Sequence, residues 1–416
     1  TGRLPPPTPV PTAATRDRSV TGYGSKLLLP GTEVTLLNKP AACEGCPVSA
    51  RNTGFAFGEG PTTARIMLVG EALGEIEAAE GAPFVGGTGR MLRGMLHQAG
   101  LHPGQYYLTN VVKCWPPKNT TPQIPEITAC TSRYLIRELT TVKPNVIVAV
   151  GPTAMNFLVP HCPAGVTDVR GHVFESPFGK VIPIVHPSFV ARGNPEYWAI
   201  TVNDLKRVKE HSHNPGLERK ARRFNINPSL DDVRRACDFI LESRLPVAFD
   251  IETLGEIENI NVICVGLAWS PVDAICIPFL RRGGYEYWRN EYEELKAWEA
   301  LCGVFDSDVL KITQNGFTFD VPVLMHLGVK FPHGSVVDTL IKHHVVATEL
   351  PHSLAFLTSI YTDLEFYKQD VKSAGGMLWA PDDILRRYNL LDCVATYITN
   401  FGLERDFKEL DALVKR

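Results

Sequence analysis

Apolar residues along the chain fall into two series with different punctuation. From residue 65, the runs RIMLVG (65–70), YYLTNVV (106–112), NVIVAVG (145–151) and VIPIVHPS (181–188) are short and bounded by turn residues, and they read as buried strands. Between them, GRMLRGMLHQAG (89–100) and PEITACTSRYLIREL (125–139) carry helical spacing. This alternation predicts a parallel α/β sheet with helices on both faces, whose ligands sit at the carboxyl ends of the strands. A second series opens with PVAFDIET (246–253), NVICVGLAW (261–269) and DAICIPF (273–279). It continues through helical stretches to an amphipathic run over 381–414 and predicts a separate mixed α/β layer.

The polar residues mark the boundaries. Residues 1–24 include LPPPTPVPTAA (4–14), where prolines remove backbone donors and fix φ, so they read as a disordered tail. The basic stretch 211–230, broken by Pro215 and Pro228, reads as a linker. The expected division is a tail at 1–24, a first domain at 25–210, the linker at 211–230 and a second domain at 231–416. A length of 416 residues accommodates these, and 44% hydrophobic with 21% charged residues excludes wholesale disorder. No apolar run reaches the length of a membrane span and no leader pattern opens the chain, so a soluble protein of a prokaryotic host cytoplasm is expected. The first residue, Thr1, is not a methionine, which hints at a piece of something larger.

A net charge of −3 conceals an asymmetry: residues 1–230 carry +8 and residues 231–416 carry −11. A basic half suits a polyanion such as DNA, and an acidic half suits a solvated surface or a site that gathers cations. The ten cysteines are too sparse for a disulfide scaffold. Cys43 and Cys46 form a C-x2-C pair and Cys114 and Cys130 a C-x15-C pair, enough thiolates to enclose one metal centre. The wide second pair suits iron and sulfur better than a zinc ribbon. The remaining six, Cys162, Cys237, Cys264, Cys276, Cys302 and Cys393, lie mostly in apolar runs and read as small core residues.

Around the four cysteines stand GEALGEIEAAEGAPFVGGTG (70–89), TNVVKCWPPKN (109–119) and VHPS (185–188). Over residues 25–210 this arrangement resembles the family-four iron–sulfur uracil-DNA glycosylases. The resemblance implies a 4Fe-4S cluster on Cys43, Cys46, Cys114 and Cys130. It implies that Phe84 stacks on a flipped uracil, that Asn110 reads its hydrogen-bonding edge, and that His186 donates to the oxygen where negative charge develops. Glu71 and Ala72 would line a water position, Glu77 would lie near the uracil ring edge, and Asn119 would lie close to the site. These residue types suit bond cleavage by dissociation, which needs an aromatic face, an amide reader and a donor rather than a strong base. Three positions depart from the family pattern: Leu73 replaces a usual proline, and Ala82 and Trp115 stand where arginine is common.

In the second half, FDIET (249–253) puts Asp250 and Glu252 two apart on a strand and so on one face. QNGFTFD (314–320) adds Asp320, and RYNLLD (387–392) adds Tyr388 and Asp392, four apart on one helix face. Such a set could hold two divalent ions that activate a water and stabilise a leaving oxygen. The order Asp-x-Glu, Asn-x3-Phe-Asp, Tyr-x3-Asp resembles the DEDDy-type 3′-5′ exonucleases, whose fold is ribonuclease H-like. With VVDTLIKHHVVATELPHSLAFL (336–357) the stretch is similar to the proofreading domain of phage family-A DNA polymerases. The resemblance implies Asp250, Glu252, Asp320 and Asp392 as ligands for Mg2+ or Mn2+ and Tyr388 as the residue orienting the attacking water.

Together these readings predict an amino-terminal part of a phage-type replicative enzyme, acting on uracil-containing or frayed single-stranded DNA and separated from its polymerase module. In the alternative, the first half binds uracil or template DNA without cutting and only the exonuclease is catalytic.

Overall fold

In the computed structural model each apolar run of the first series becomes a strand. The structure describes residues 43–46, 53–162, 164–217, 219–255, 260–376 and 379–414; the tail expected at 1–24 lies outside them. Contacts divide the chain into two units, the second beginning at Arg219. Among the described residues no helix is long and apolar enough to cross a membrane.

The first unit carries strands β1 (Ile66–Gly70), β2 (Tyr106–Asn110), β3 (Val146–Val150), β4 (Phe174–Ser176) and β5 (Gly179–Ile184) in the order β2-β1-β3-β5-β4. β2, β1, β3 and β5 are parallel, and the short β4 closes one edge antiparallel to β5. Every residue of β1, β2 and β3 is buried, as strands covered on both faces require. Ile66 and Leu68 pack with Leu92 and Leu96 of the helix Gly87–Gln98 and with Leu205 of the helix Tyr197–His211. Parallel pairing brings Gly70, Asn110, Val150 and Ile184, the last residues of their strands, to one edge of the sheet.

The second unit is built on six strands: β6 (Arg223–Asn225), β7 (Val247–Leu254), β8 (Asn261–Ala268), β9 (Asp273–Pro278), β12 (Lys311–Thr313) and β13 (Val336–Asp338), in the order β13-β12-β7-β8-β9-β6. A separate small hairpin joins β10 (Leu280–Arg281) to β11 (Tyr285–Glu286). β7, β8 and β9 form an antiparallel meander, while β12, β13 and β6 add in parallel. The strand β6 arises inside the basic stretch 211–230, because Phe224 and Ile226 pack into the core beneath the last helix. On β7 the period of two is plain. Phe249 and Ile251 face a core with Phe305 and Val323, while Ala248 faces the opposite core with Leu390 and Val394 of the helix Asp382–Val414. Asp250 and Glu252 share the face of Ala248 and so meet that helix.

Candidate functional site

At the carboxyl edge of the first sheet, close backbone approach sets the geometry. A side chain on Gly70 would run into both Asn110 Oδ1 and the Phe84 ring, so the bare backbone there lets the amide and the ring stand together. Phe84 is buried and left-handed, with φ of 56°, a conformation that costs a bulky residue roughly 1–3 kcal/mol. Its surroundings hold it: Arg93 Nε donates to the Phe84 carbonyl at 3.2 Å, and Gly86 N–H donates to Glu77 Oε1 at 2.8 Å. The second Glu77 oxygen lies against Gly74, so this carboxylate braces the loop that presents Phe84.

His186 follows β5 and caps the helix Pro187–Ala191. Its Nδ1 accepts from the Ser188 N–H at 3.1 Å and contacts Ser188 Oγ at 2.8 Å. That acceptor role places the neutral ring's proton on Nε2. Burial, helped by Arg192, pushes the imidazole down to about 4 and keeps it neutral at ordinary pH. Gly151, at φ 89° after β3, leaves room for the His186 Cβ. Thr153 Oγ1 donates to Glu71 Oε2, tying the loop after β1 to the helix after β3. Phe84, Asn110, His186 and Glu71 therefore sit along one edge, with Ala72 beside Glu71. Asn119 is exposed, and its Oδ1 accepts from Trp115 Nε1 at 2.8 Å. Leu73 and Trp115, two of the departures from the family pattern, pack together with Ala56 and Ala78.

Beside this edge, Cys43, Cys46, Cys114 and Cys130 line one cavity with Phe55 and Tyr134, and none forms a disulfide. Tyr134 OH contacts Cys43 Sγ at 3.1 Å, and Lys113 N–H donates to Cys130 Sγ at 3.2 Å. Burial pushes the Cys130 thiol up to about 12, so a thiolate there requires a cationic partner. The helical run 124–142 is interrupted by a π-helical turn at Thr131–Leu135, directly after Cys130. Sequence reasoning missed the buried Lys113–Glu138 pair, 2.5 Å apart. Glu138 also accepts from Gly58 N–H and Thr109 Oγ1, so one carboxylate connects the strand of Asn110 to the cysteine loop.

In the second unit, Asp250, Glu252 and Asp392 place carboxylate oxygens within 4.8 Å of one another. Asp320 is tied to the strand that carries Asp250 and Glu252 through Oδ1, which accepts the Ile251 N–H at 3.0 Å. Tyr388 lies one turn before Asp392 on the last helix, half-buried. Burial and mutual repulsion raise Asp250 and Glu252 well above the usual carboxylate range, and burial pushes Asp320 up to about 6. Three supporting residues were not singled out by the sequence. Asn389 Nδ2 donates to Asp250 Oδ2 at 2.9 Å, and Asp338 Oδ1 accepts the N–H groups of Asn315 and Leu340, each at 2.9 Å, which holds the loop leading to Asp320. Lys368 Nζ lies 2.5 Å from Asp392 Oδ1.

Residues 57–206 match the model of the uracil DNA glycosylase superfamily, which is the class that the first sheet and its edge define. A type-4 uracil-DNA glycosylase of Thermotoga maritima is 39% identical over 169 residues, 40% of this chain and 88% of that protein. Through its first unit the chain belongs to the type-4 uracil-DNA glycosylase family. A DNA polymerase of Bacillus phage SP01 is 27% identical over 205 residues, 47% of this chain and 22% of that protein. Among solved structures, the Aedes aegypti Nibbler EXO domain aligns with a TM-score of 0.34 and 19% identity, covering 45% of this chain and 89% of that one.

Proposed function

We propose that the chain is a DNA-processing enzyme with two chemistries: uracil excision in the first unit and metal-dependent 3′-5′ exonucleolytic cleavage in the second. The observation that carries this reading is the assembly of two chemically unlike sites from distant segments, a neutral one around Phe84, Asn110 and His186 and a carboxylate one around Asp250, Glu252, Asp320 and Asp392.

In the first site, Phe84 offers a ring face for a flipped base and Asn110 an amide for its edge. The Nε2–H of neutral His186 donates to the departing uracil as negative charge develops. The four cysteines fit an iron–sulfur cluster. Their sulfurs line one largely apolar cavity with Phe55, Val112 and Tyr134, and none is taken up by a disulfide. A 4Fe-4S cluster bound there supplies a covalent tie between the segment of Cys43 and Cys46 and the segments of Cys114 and Cys130.

In the second site the carboxylates fit divalent ions, because acids gathered this closely, as Asp250, Glu252 and Asp392 are, with Asp320 bonded to the strand between the first two, are stable as anions only with cations among them. Magnesium or manganese bound there supplies Lewis acidity and neutralises phosphate charge. Tyr388 projects from the same helix as Asp392, where its hydroxyl can orient a water toward a 3′-terminal phosphodiester. A proofreading role, on DNA ends supplied by a polymerase, is in keeping with the chain's similarity to a phage DNA polymerase.

The test is strand cleavage of uracil-containing single-stranded DNA after alkali treatment. Alkali-labile breaks at uracil positions support excision. Tight binding with no uracil released establishes the binding-module reading instead, with Leu73, Ala82 and Trp115 the first positions to revert. Protein purified without oxygen should contain about four irons per chain, and Cys114→Ser should lose both iron and solubility; stoichiometric zinc without iron would overturn the cluster assignment.

A further inference from the structure

Lys368 was not part of any motif, yet it reaches the carboxylate site at Asp392. Its Nζ lies 2.5 Å from Asp392 Oδ1 and 3.4 Å from Tyr388 OH, and it sits over the rings of both Tyr367 and Tyr388, 5.1 and 5.0 Å from their centroids. Tyr367 OH donates to the same Asp392 oxygen at 2.6 Å, so Asp392 Oδ1 is held from two directions. The Lys368 side chain is 17% exposed and the Asp392 side chain 8%, so solvent screens this contact little. The ammonium also acts electrostatically on Asp250 and Glu252, in the opposite sense to the neighbouring acids.

We propose that Lys368 is a resident cation of the carboxylate site. It keeps the acids assembled while no divalent ion is bound, and it competes with that ion for Asp392. The physical case is direct. Clustered carboxylates repel, and a tethered ammonium against one of them offsets that repulsion without leaving the protein. The two aromatic faces fix the charge in place as cation–π partners. An arriving divalent ion must then take Asp392 Oδ1 from Lys368 and Tyr367, so the lysine weakens metal binding while it stabilises the metal-free fold. Lys368 is thus a positioning residue, and this inference rests on the carboxylates being a metal site.

Manganese titrations of the whole protein, followed by calorimetry and by the electron paramagnetic resonance of free Mn2+, test it with Lys368→Gln, Lys368→Arg and the Asp250→Asn control. Lys368→Gln should bind Mn2+ about tenfold tighter or more, as loss of a competing charge at this distance requires. Its melting temperature in chelator should fall and be restored by Mn2+. Lys368→Arg should bind like the parent. A merely structural lysine gives the opposite sign, because damage to the site loosens the metal. Unchanged or weaker Mn2+ binding by Lys368→Gln, with the parent binding normally, overturns the inference alone. If neither the parent nor Lys368→Gln binds Mn2+, the metal-site reading fails and the inference fails with it.

Discussion

The two sites solve opposite electrostatic problems. The edge of the first sheet works with a neutral ring, an amide and an imidazole whose proton is assigned by one backbone N–H, and burial keeps His186 uncharged. The second site gathers acids of which burial and mutual repulsion drive Asp250, Glu252 and Asp320 toward the protonated state, with one lysine against Asp392. On the proposed reading the first is complete as protein alone, since its work would be to meet charge that appears only during bond cleavage. The second, on the same reading, would be incomplete until cations enter it. A protein carrying both should show two activities that respond independently to chelation and two stabilities that respond oppositely to pH.

The largest effect is expected where the proposed metal ligands are removed. Asp250→Ala combined with Glu252→Ala should reduce 3′-end digestion by about a thousandfold or more, the loss of several kcal/mol of charge stabilisation. Uracil release should stay unchanged. Digestion at the parent rate would place the metal site elsewhere.

Next comes the donor of the neutral site. His186→Ala should slow uracil release by about a hundredfold or more, as removal of one preorganised donor does, and leave digestion untouched. Gly70→Ala is a steric probe of the same pocket. Its new methyl group would displace Asn110 Oδ1 and the Phe84 ring, and misplacement of that order costs about a hundredfold when geometry controls the rate. Excision kinetics alongside circular dichroism separate this from unfolding; unaltered kinetics would mean that Phe84 and Asn110 are not the base-reading pair.

The smallest effect concerns pH, with chelator present. His186 is held down to about 4 against an ordinary 6.5, so between those values the unfolded chain takes a proton that the folded one refuses. Stability present above pH 6.5 is therefore lost from the first unit as pH falls toward 4. Asp320 is raised to about 6 from 3.8, with Asp250 and Glu252 raised in the same direction, so here the folded state protonates first. The stabilising contribution of Asp320 is full below about pH 4 and is lost as pH rises through about 6, and Asp250 and Glu252 act in the same sense. Hydrogen exchange of peptides from each sheet across pH 4–7 checks the two signs; parallel responses would contradict the contrast.

Much of the fold could be read from the chain because its signals are local. The runs RIMLVG, NVIVAVG, PVAFDIET and DAICIPF became β1, β3, β7 and β9 within a residue or two of their expected limits. β4 and β6 escaped notice because both are three-residue edge strands, each with an exposed residue, and they carry too little apolar pattern. Asp250 and Glu252 were legible because a period of two puts both on one face. Glu138, Asn389 and Lys368 were not, because their significance lies in partners 25, 139 and 24 residues away. The left-handed Phe84 was equally hidden: its conformation is imposed by Arg93 and the Glu77-braced loop rather than by its neighbours in sequence.

The most direct test of the central claim is a single preparation assayed on single-stranded DNA with an internal uracil, once in chelator and once in magnesium. The account predicts uracil release without shortening of the strand in chelator, and stepwise 3′ shortening in magnesium that Asp250→Ala with Glu252→Ala abolishes while His186→Ala does not. Uracil release that requires magnesium, or 3′ shortening that persists in chelator, would contradict the division of the chain into one metal-free and one metal-dependent chemistry.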